Sequence, residues 1–141
     1  MSIALHTRRM EDVAARILRE FRRVAVVGIS ERPERDSYRV AAYLQHVGYT
    51  IIPVNPRVEE VLGQRCWPSL DAAPGPIEVV DVFRRAELVD PIVDDAIRVG
   101  AKAVWMQDGV VNDGAAARAR AAGLLVVMDR CMLRDHAMGL G

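Results

Sequence analysis

The sequence predicts an α/β fold: one doubly wound, mainly parallel five-stranded sheet with helices on both faces. Three observations lead there. Short, uniformly apolar runs rich in β-branched residues recur along the chain, as expected of strands covered on both sides. Segments with helical spacing separate them, and glycine or proline stands at most of the boundaries. Strands that alternate with helices favour parallel pairing, and right-handed crossovers restrict how the sheet winds. Two βαβ halves of this kind make a Rossmann-like sheet.

The elements follow in order. Met10, Val13, Ala14, Ile17, Leu18 and Phe21 share one face of an amphipathic helix over about residues 10–21. Residues 24–29 form the first strand. Asp36 or Ser37 is placed to cap a second helix with the stripe Val40, Ala41, Leu44 and Val47, closed by Gly48. Tyr49 to Val54 is the second strand, stopped by Asn55-Pro56, and the proline-rich stretch 68–76 reads as a loop. Glu78 to Phe83 is the third strand. Asp90-Pro91 resembles an N-cap with proline at the first helical position, and Gly100 ends that helix. Lys102 to Met106 is the fourth strand. Asn112 or Asp113 caps a helix through Ala122, and Gly123 precedes the fifth strand, Leu124 to Met128. The expectation is one domain over residues 1–141, with the helix first and the core spanning about 22–135.

Bulk properties narrow the function. A chain of 141 residues with 51% hydrophobic and 27% charged residues can bury one core and is not disordered. Its formal net charge of zero argues against nucleic-acid binding through bulk charge. No apolar run approaches the ~20 residues of a membrane span. The first twenty residues interleave charges with apolar groups, unlike a secretion signal. With two cysteines, Cys66 and Cys131, and no metal-ligand spacing, a reduced cytoplasmic setting fits. No metal site is expected. The N-terminal helix and the sheet edges offer surfaces for a homodimer without requiring one.

Ligands of doubly wound sheets sit beyond the carboxyl ends of the strands, so the loops leaving those ends matter most. The first, Gly28-Ile29-Ser30 through Ser37-Tyr38, turns at Gly28 and ends at a helix N-terminus that favours an anion. Ser30, Arg35 and Ser37 can add bonds to a phosphate. An ordinary strand-to-helix turn with solvated arginines fits this loop equally well, because only the first glycine of a G-x-G-x-x-G fingerprint is present. The second loop, Val54-Asn55-Pro56-Arg57, lacks the carboxylate that nicotinamide dinucleotide sites place there for the ribose. A neutral Asn and a nearby cation tolerate a phosphorylated ribose instead. In the third, Phe83 and Arg84 leave strand three as a ring and a cation. In the fourth, Gln107 offers a hydrogen-bonding amide and Gly109 a close-approach backbone. Trp105 reads as core.

These stretches, VGISERPERDSYRV, GYTIIPVNP, VLGQRCWPSL, VDVFRRAE, GAKAVWMQDGVVN and AAGLLVVMDRCM in that order, resemble the small stand-alone CoA-binding domain proteins. Those are similar to the N-terminal domain of the succinyl-CoA synthetase α subunit. The resemblance covers roughly residues 20–135 and implies coenzyme A at the carboxyl edge of the sheet. Carried over by position, Gly28, Ile29, Ser30, Arg35, Ser37 and Tyr38 would hold the phosphates. Val54, Asn55, Pro56, Phe83 and Arg84 would surround the adenosine, with Gln107 and Gly109 along the pantetheine arm. The synthetase's phosphohistidine machinery lies outside such a domain, and His6, His46 and His136 do not replace it, so ligase activity is not carried over.

The expectation is therefore a noncatalytic protein that binds CoA or an acyl-CoA as a sensor or accessory, with no catalytic residues assigned. Two alternatives stay open. One is an NAD(P)-dependent oxidoreductase, supported by fold class alone. The other is a thiol-exchange protein using Cys131, whose neighbours Arg130 and Arg134 could lower its pKa; a buried, inert cysteine is the commoner outcome. Cys66 reads as structural, and Asp135 and His136 as surface residues.

Overall fold

The computed structural model describes residues 3–141, with the side chains of residues 3, 4, 6 and 7 excepted. Residues 1 and 2 of the expected domain, and the His6 side chain, therefore lie outside the described residues. The chain runs α1 (Ile3–Glu20), β1 (Arg23–Val27), α2 (Asp36–His46), β2 (Thr50–Val54), β3 (Glu60–Val61), β4 (Gln64–Arg65) and β5 (Val79–Val82). It continues with a 3-10 turn (Ala86–Leu88), α3 (Val89–Arg98), β6 (Ala103–Met106), α4 (Asp113–Ala121), β7 (Leu125–Val127) and α5 (Met132–Ala137).

Five strands form one sheet in the order β2-β1-β5-β6-β7, every pairing parallel. Successive residues of a strand face opposite sides. Val24 and Val26 of β1 pack with Ile17, Val40, Leu44, Trp105 and Met132 beneath α1, α2 and α5. Ala25 and Val27 pack with Val82, Val93, Met106 and Ala116 beneath α3 and α4. Both faces are thus covered, which is why the strands read as continuous apolar runs. Among the described residues no helix is long and apolar enough to cross a membrane.

Several boundaries differ from the expectations for physical reasons. Helix α1 begins seven residues before Met10, because good helix formers carry it past the end of its apolar stripe. Helix α3 starts ahead of Asp90-Pro91, since the 3-10 turn already sets its first turn, and Leu88 occupies the N-cap position. Asp90 instead accepts from Asn112 Nδ2 (3.1 Å) and Arg118 (3.0 Å). The Asn112 cap of α4 is as expected, its Oδ1 accepting from the Ala115 N–H at 3.0 Å. The β3–β4 hairpin and α5 are additional elements.

Helix α5 corrects the reading of Asp135 and His136 as surface residues. Asp135 is buried and receives two bonds from Arg130, at 2.8 and 3.0 Å. His136 is half-buried, with Nδ1 2.8 Å from the Tyr43 hydroxyl and its ring edge-on to Tyr43 and Tyr49. The indole of Trp105 is wholly buried and donates to the Arg130 carbonyl at 2.9 Å.

Candidate functional site

Strand order reverses between β1 and β5, so the chain leaves their carboxyl ends in diverging directions and opens a crevice. Gly28 follows β1 and Phe83 follows β5. The Gly28 N–H donates to the Val54 carbonyl (2.9 Å) and the Phe83 N–H to the Val27 carbonyl (2.9 Å), so the two loops start in register. Gly28 has φ +90°, and a Cβ there would lie 2.3 Å from the Phe83 carbonyl oxygen. The glycine is demanded by the neighbouring strand as well as by the turn. Arg84 Nε would stand 3.1 Å from that Cβ, which places its guanidinium over the start of the first loop.

From this fork a cleft of about 950 Å³ extends toward β2, lined by Gly28, Ser30, Arg35, Ser37, Asn55 and Arg84, together with Arg32, Arg57, Glu31 and Glu34. Ser37 does not cap α2. Its Oγ accepts from the Ser30 N–H at 2.9 Å, drawing the loop across the helix end. Arg35 takes the N-cap position without a side-chain cap bond, and Asp36 pairs with Arg39. Among the described residues, no acceptor meets the amides of residues 36–38, the donors that favour an anion. Asn55 locks the loops together: Nδ2 donates to the Ile29 carbonyl (2.8 Å), and Oδ1 accepts from the Arg57 N–H (2.9 Å). No acid stands at the end of β2.

In the other direction the cleft continues over β6 and β7, sharing Phe83, Arg84 and Asp36 with the first part. This second part, about 800 Å³, is walled by Val40, Phe83, Val110, Cys131, Leu133, Ala137 and Met138. Gln107 lies at its base, buried, with Nε2 donating to Asp81 Oδ1. Asp81 belongs to β5 and is wholly buried, and among the described residues its Oδ2 has no hydrogen-bond partner. Burial pushes its carboxyl up to about 7, against the lowering effect of the Gln107 bond. Gly109 (φ +81°) donates to Asp129 Oδ1 at 2.7 Å, tying the loops after β6 and β7. A Cβ on Gly109 would meet open space, so its backbone angle, not close approach, calls for glycine.

The two parts differ in how their arginines are used. Around the apolar part, Arg134 makes two bonds to Asp108 (2.8 and 2.9 Å), Arg39 pairs with Asp36 and Arg85 with Glu87 (3.5 Å). Around the polar part, Arg32, Arg35, Arg57 and Arg84 have no carboxylate partner among the described residues. That asymmetry depends on tertiary pairing and cannot be read from the sequence.

Most of the expected residues therefore converge. Gly28, Ser30, Arg35, Ser37, Asn55, Phe83, Arg84, Gln107 and Gly109 line the continuous cleft. Val54 and Pro56 line a smaller apolar slot of about 230 Å³ beside it, with Leu70, Leu88 and Ile92, and Arg84 bridges the two. Ile29 is wholly buried and touches the site only through its carbonyl. Tyr38, in the first turn of α2, packs half-buried against the core and does not line the cleft. Missed by sequence reading were Arg32 and the wall from α5, whereas Arg57, read as the cation beside Asn55, does line the polar part. Asp81 was missed too, although an acid inside Val79-Val80-Asp81-Val82 was its signal. Cys131 lines the apolar part, but burial raises its thiol pKa, and Arg130 and Arg134 are each committed to a carboxylate. This agrees with the commoner reading of a half-buried, inert cysteine rather than with the alternative of activation by its arginine neighbours.

Comparison with known proteins places this geometry. Residues 22–137 match the family described as the CoA binding domain. The chain belongs to that family. It is 41% identical over 122 residues to the uncharacterized protein YneT of Bacillus subtilis, a match spanning 86% of this chain and 90% of YneT. Among solved structures, a hypothetical protein from Pyrococcus horikoshii OT3 is 44% identical with a TM-score of 0.88, covering 93% of this chain and 92% of that one. Acetate–CoA ligase (ADP-forming) II of Archaeoglobus fulgidus is 27% identical over 94 residues, which are 64% of this chain and 14% of the ligase. The chain is thus similar both to another short chain and to a segment within a much longer enzyme.

Proposed function

We propose that this chain binds coenzyme A along the whole cleft and holds it without transforming it. One observation carries the reading: the unpaired Arg32, Arg35 and Arg57 line one half of the cleft, Arg84 stands where the halves meet, and apolar walls with paired charges make up most of the other. Coenzyme A has the same polarity, a phosphorylated adenine nucleotide at one end and an uncharged pantetheine arm at the other. The pyrophosphate would meet the amides at the start of α2 and the Arg84 guanidinium over Gly28. Gly28, Ser30, Arg35 and Ser37 would flank it, with Ile29 and Tyr38 supporting the loop from behind. The slot beside Val54 and Pro56, faced by Arg84, suits the adenine ring, and Asn55 shapes its mouth. Gln107 and the Gly109 loop would border the pantetheine arm.

The neutral pairs in the apolar half favour a binding role. Asp108 is held by Arg134 and Asp36 by Arg39, while burial pushes the Cys131 thiol up. The end of β2 carries Asn55, which disfavours NAD, whose ribose hydroxyls seek an acid there. Calorimetry with ligand-free protein tests the proposal using CoA, dephospho-CoA and NAD. The expected order is CoA tightest, then dephospho-CoA weaker by about tenfold for the loss of one charge-assisted contact, then NAD. Absence of saturable CoA binding, or NAD binding tighter than CoA, would overturn it.

A further inference from the structure

We infer that the apolar half of the cleft receives an uncharged acyl group, so that the preferred ligand is an acyl-CoA with a short to medium hydrocarbon chain. This rests on the CoA reading above and extends it. Past Gln107 and Gly109, the cleft is walled by Val40, Val110, Leu133, Ala137 and Met138. Its volume of about 800 Å³ lies in the range that encloses a whole drug-sized ligand (~300–1,000 Å³). A pantetheine arm alone is smaller than that. Met138, just beyond α5, is 76% exposed at the rim of this wall. A flexible thioether standing in water beside an apolar cleft is suited to close over hydrocarbon.

Charge pairing sets the class of acyl group. Arg39, Arg85 and Arg134 around this half already hold Asp36, Glu87 and Asp108, and Arg84, at the junction with the polar half, is taken by the pyrophosphate on the CoA reading. With Arg84 engaged by the phosphate, a second carboxylate on the acyl chain would find no free cation there and would be desolvated unpaired. Dicarboxylic acyl groups are therefore disfavoured and plain hydrocarbon chains favoured. The thioester needs no nucleophile in this arrangement, and Cys131 supplies another part of the wall.

The test is calorimetry of the full chain with CoA, acetyl-CoA, butanoyl-CoA, hexanoyl-CoA and succinyl-CoA. Affinity should rise from acetyl to hexanoyl by about two- to fourfold per methylene, the upper figure corresponding to complete burial. Succinyl-CoA should bind at least fivefold more weakly than butanoyl-CoA, which has the same number of acyl carbons. In Met138→Glu the ratio of hexanoyl-CoA to CoA affinity should fall. Equal affinities across the series, or succinyl-CoA matching butanoyl-CoA, would overturn the inference and leave the CoA reading standing. No binding of any thioester or of CoA would remove both. The ligand series uses the unmodified chain, so its outcome does not depend on how the variant folds.

Discussion

Asp81→Asn is the sharpest probe of the polar group buried beneath the cleft. Asp81 sits in the central strand β5, opposite Val26 on one side and Trp105 on the other, with no exposure to solvent. Among the described residues its side-chain partner is Gln107, and its carboxyl is raised to about 7. A raised acid keeps its proton in the folded state while the unfolded chain has released it. Folding therefore binds a proton between about pH 4 and pH 7, and stability from this group falls as pH rises through that window. At pH 5 the folded state lies about two units below its raised pKa, which is worth about 2–3 kcal/mol relative to pH 8.

Asparagine has the same shape and no titration. Its Oδ1 can accept from Gln107, and its Nδ2 replaces the unpartnered oxygen, at a cost of about 1–3 kcal/mol that does not vary with pH. Urea unfolding of both chains at pH 5 and pH 8 separates these contributions. Histidine titration is common to both and cancels in the difference. The variant should gain about 2–3 kcal/mol on the parent between pH 5 and pH 8. Parallel stability curves would show that Asp81 is ionised throughout, and the argument from its burial would fail.

Three further outcomes follow from the geometry. Gly28→Ala should destabilise the fold by about 3 kcal/mol or more, from positive φ and the clash with the Phe83 carbonyl; a melting temperature within a few degrees of the parent would contradict this. Arg84→Ala and Arg35→Ala should each weaken CoA binding by about 1.5–3 kcal/mol, read by calorimetry, while Arg85→Ala changes it little because Arg85 already faces Glu87; equal losses for all three would dissolve the asymmetry. Cys131→Ser should leave CoA affinity unchanged and abolish no mixed disulfide at neutral pH, since burial raises that thiol; mass spectrometry showing a CoA adduct only on the parent chain would restore the thiol reading.

The strands were legible because burial on both faces forces unbroken apolar runs, and Gly48, Gly100 and Gly123 mark positive-φ exits from three helices. The hairpin Glu60–Val61 with Gln64–Arg65 was not, since two-residue strands carry no periodicity. Helix α5 escaped for the same reason at six residues, and with it the burial of Asp135. The residues at the strand tips were visible as types, but their commitments were not. Ser37 could cap α2 or bind Ser30, and only the folded loop decides for Ser30. Arg84 and Arg85 are adjacent and chemically alike, yet one faces three pockets and the other pairs with Glu87.

That last pair explains how a loop with a single glycine can serve an anion. In a G-x-G-x-x-G loop, further glycines let the phosphate approach bare backbone and let helix and strand pack closely. Here the loop between Gly28 and α2 carries side chains throughout and is drawn in by the bond between the Ser30 amide and Ser37 Oγ. Recognition that the backbone cannot supply alone is transferred to guanidinium groups, one of them reaching over from the neighbouring strand β5. Anion binding built on side-chain charge is screened by salt more readily than binding built on buried amides. On the proposed reading, affinity for CoA should fall steeply as salt rises from low to physiological levels, and in Arg84→Ala the slope should become shallower. A slope that the substitution leaves untouched would return the burden of recognition to the amides of α2.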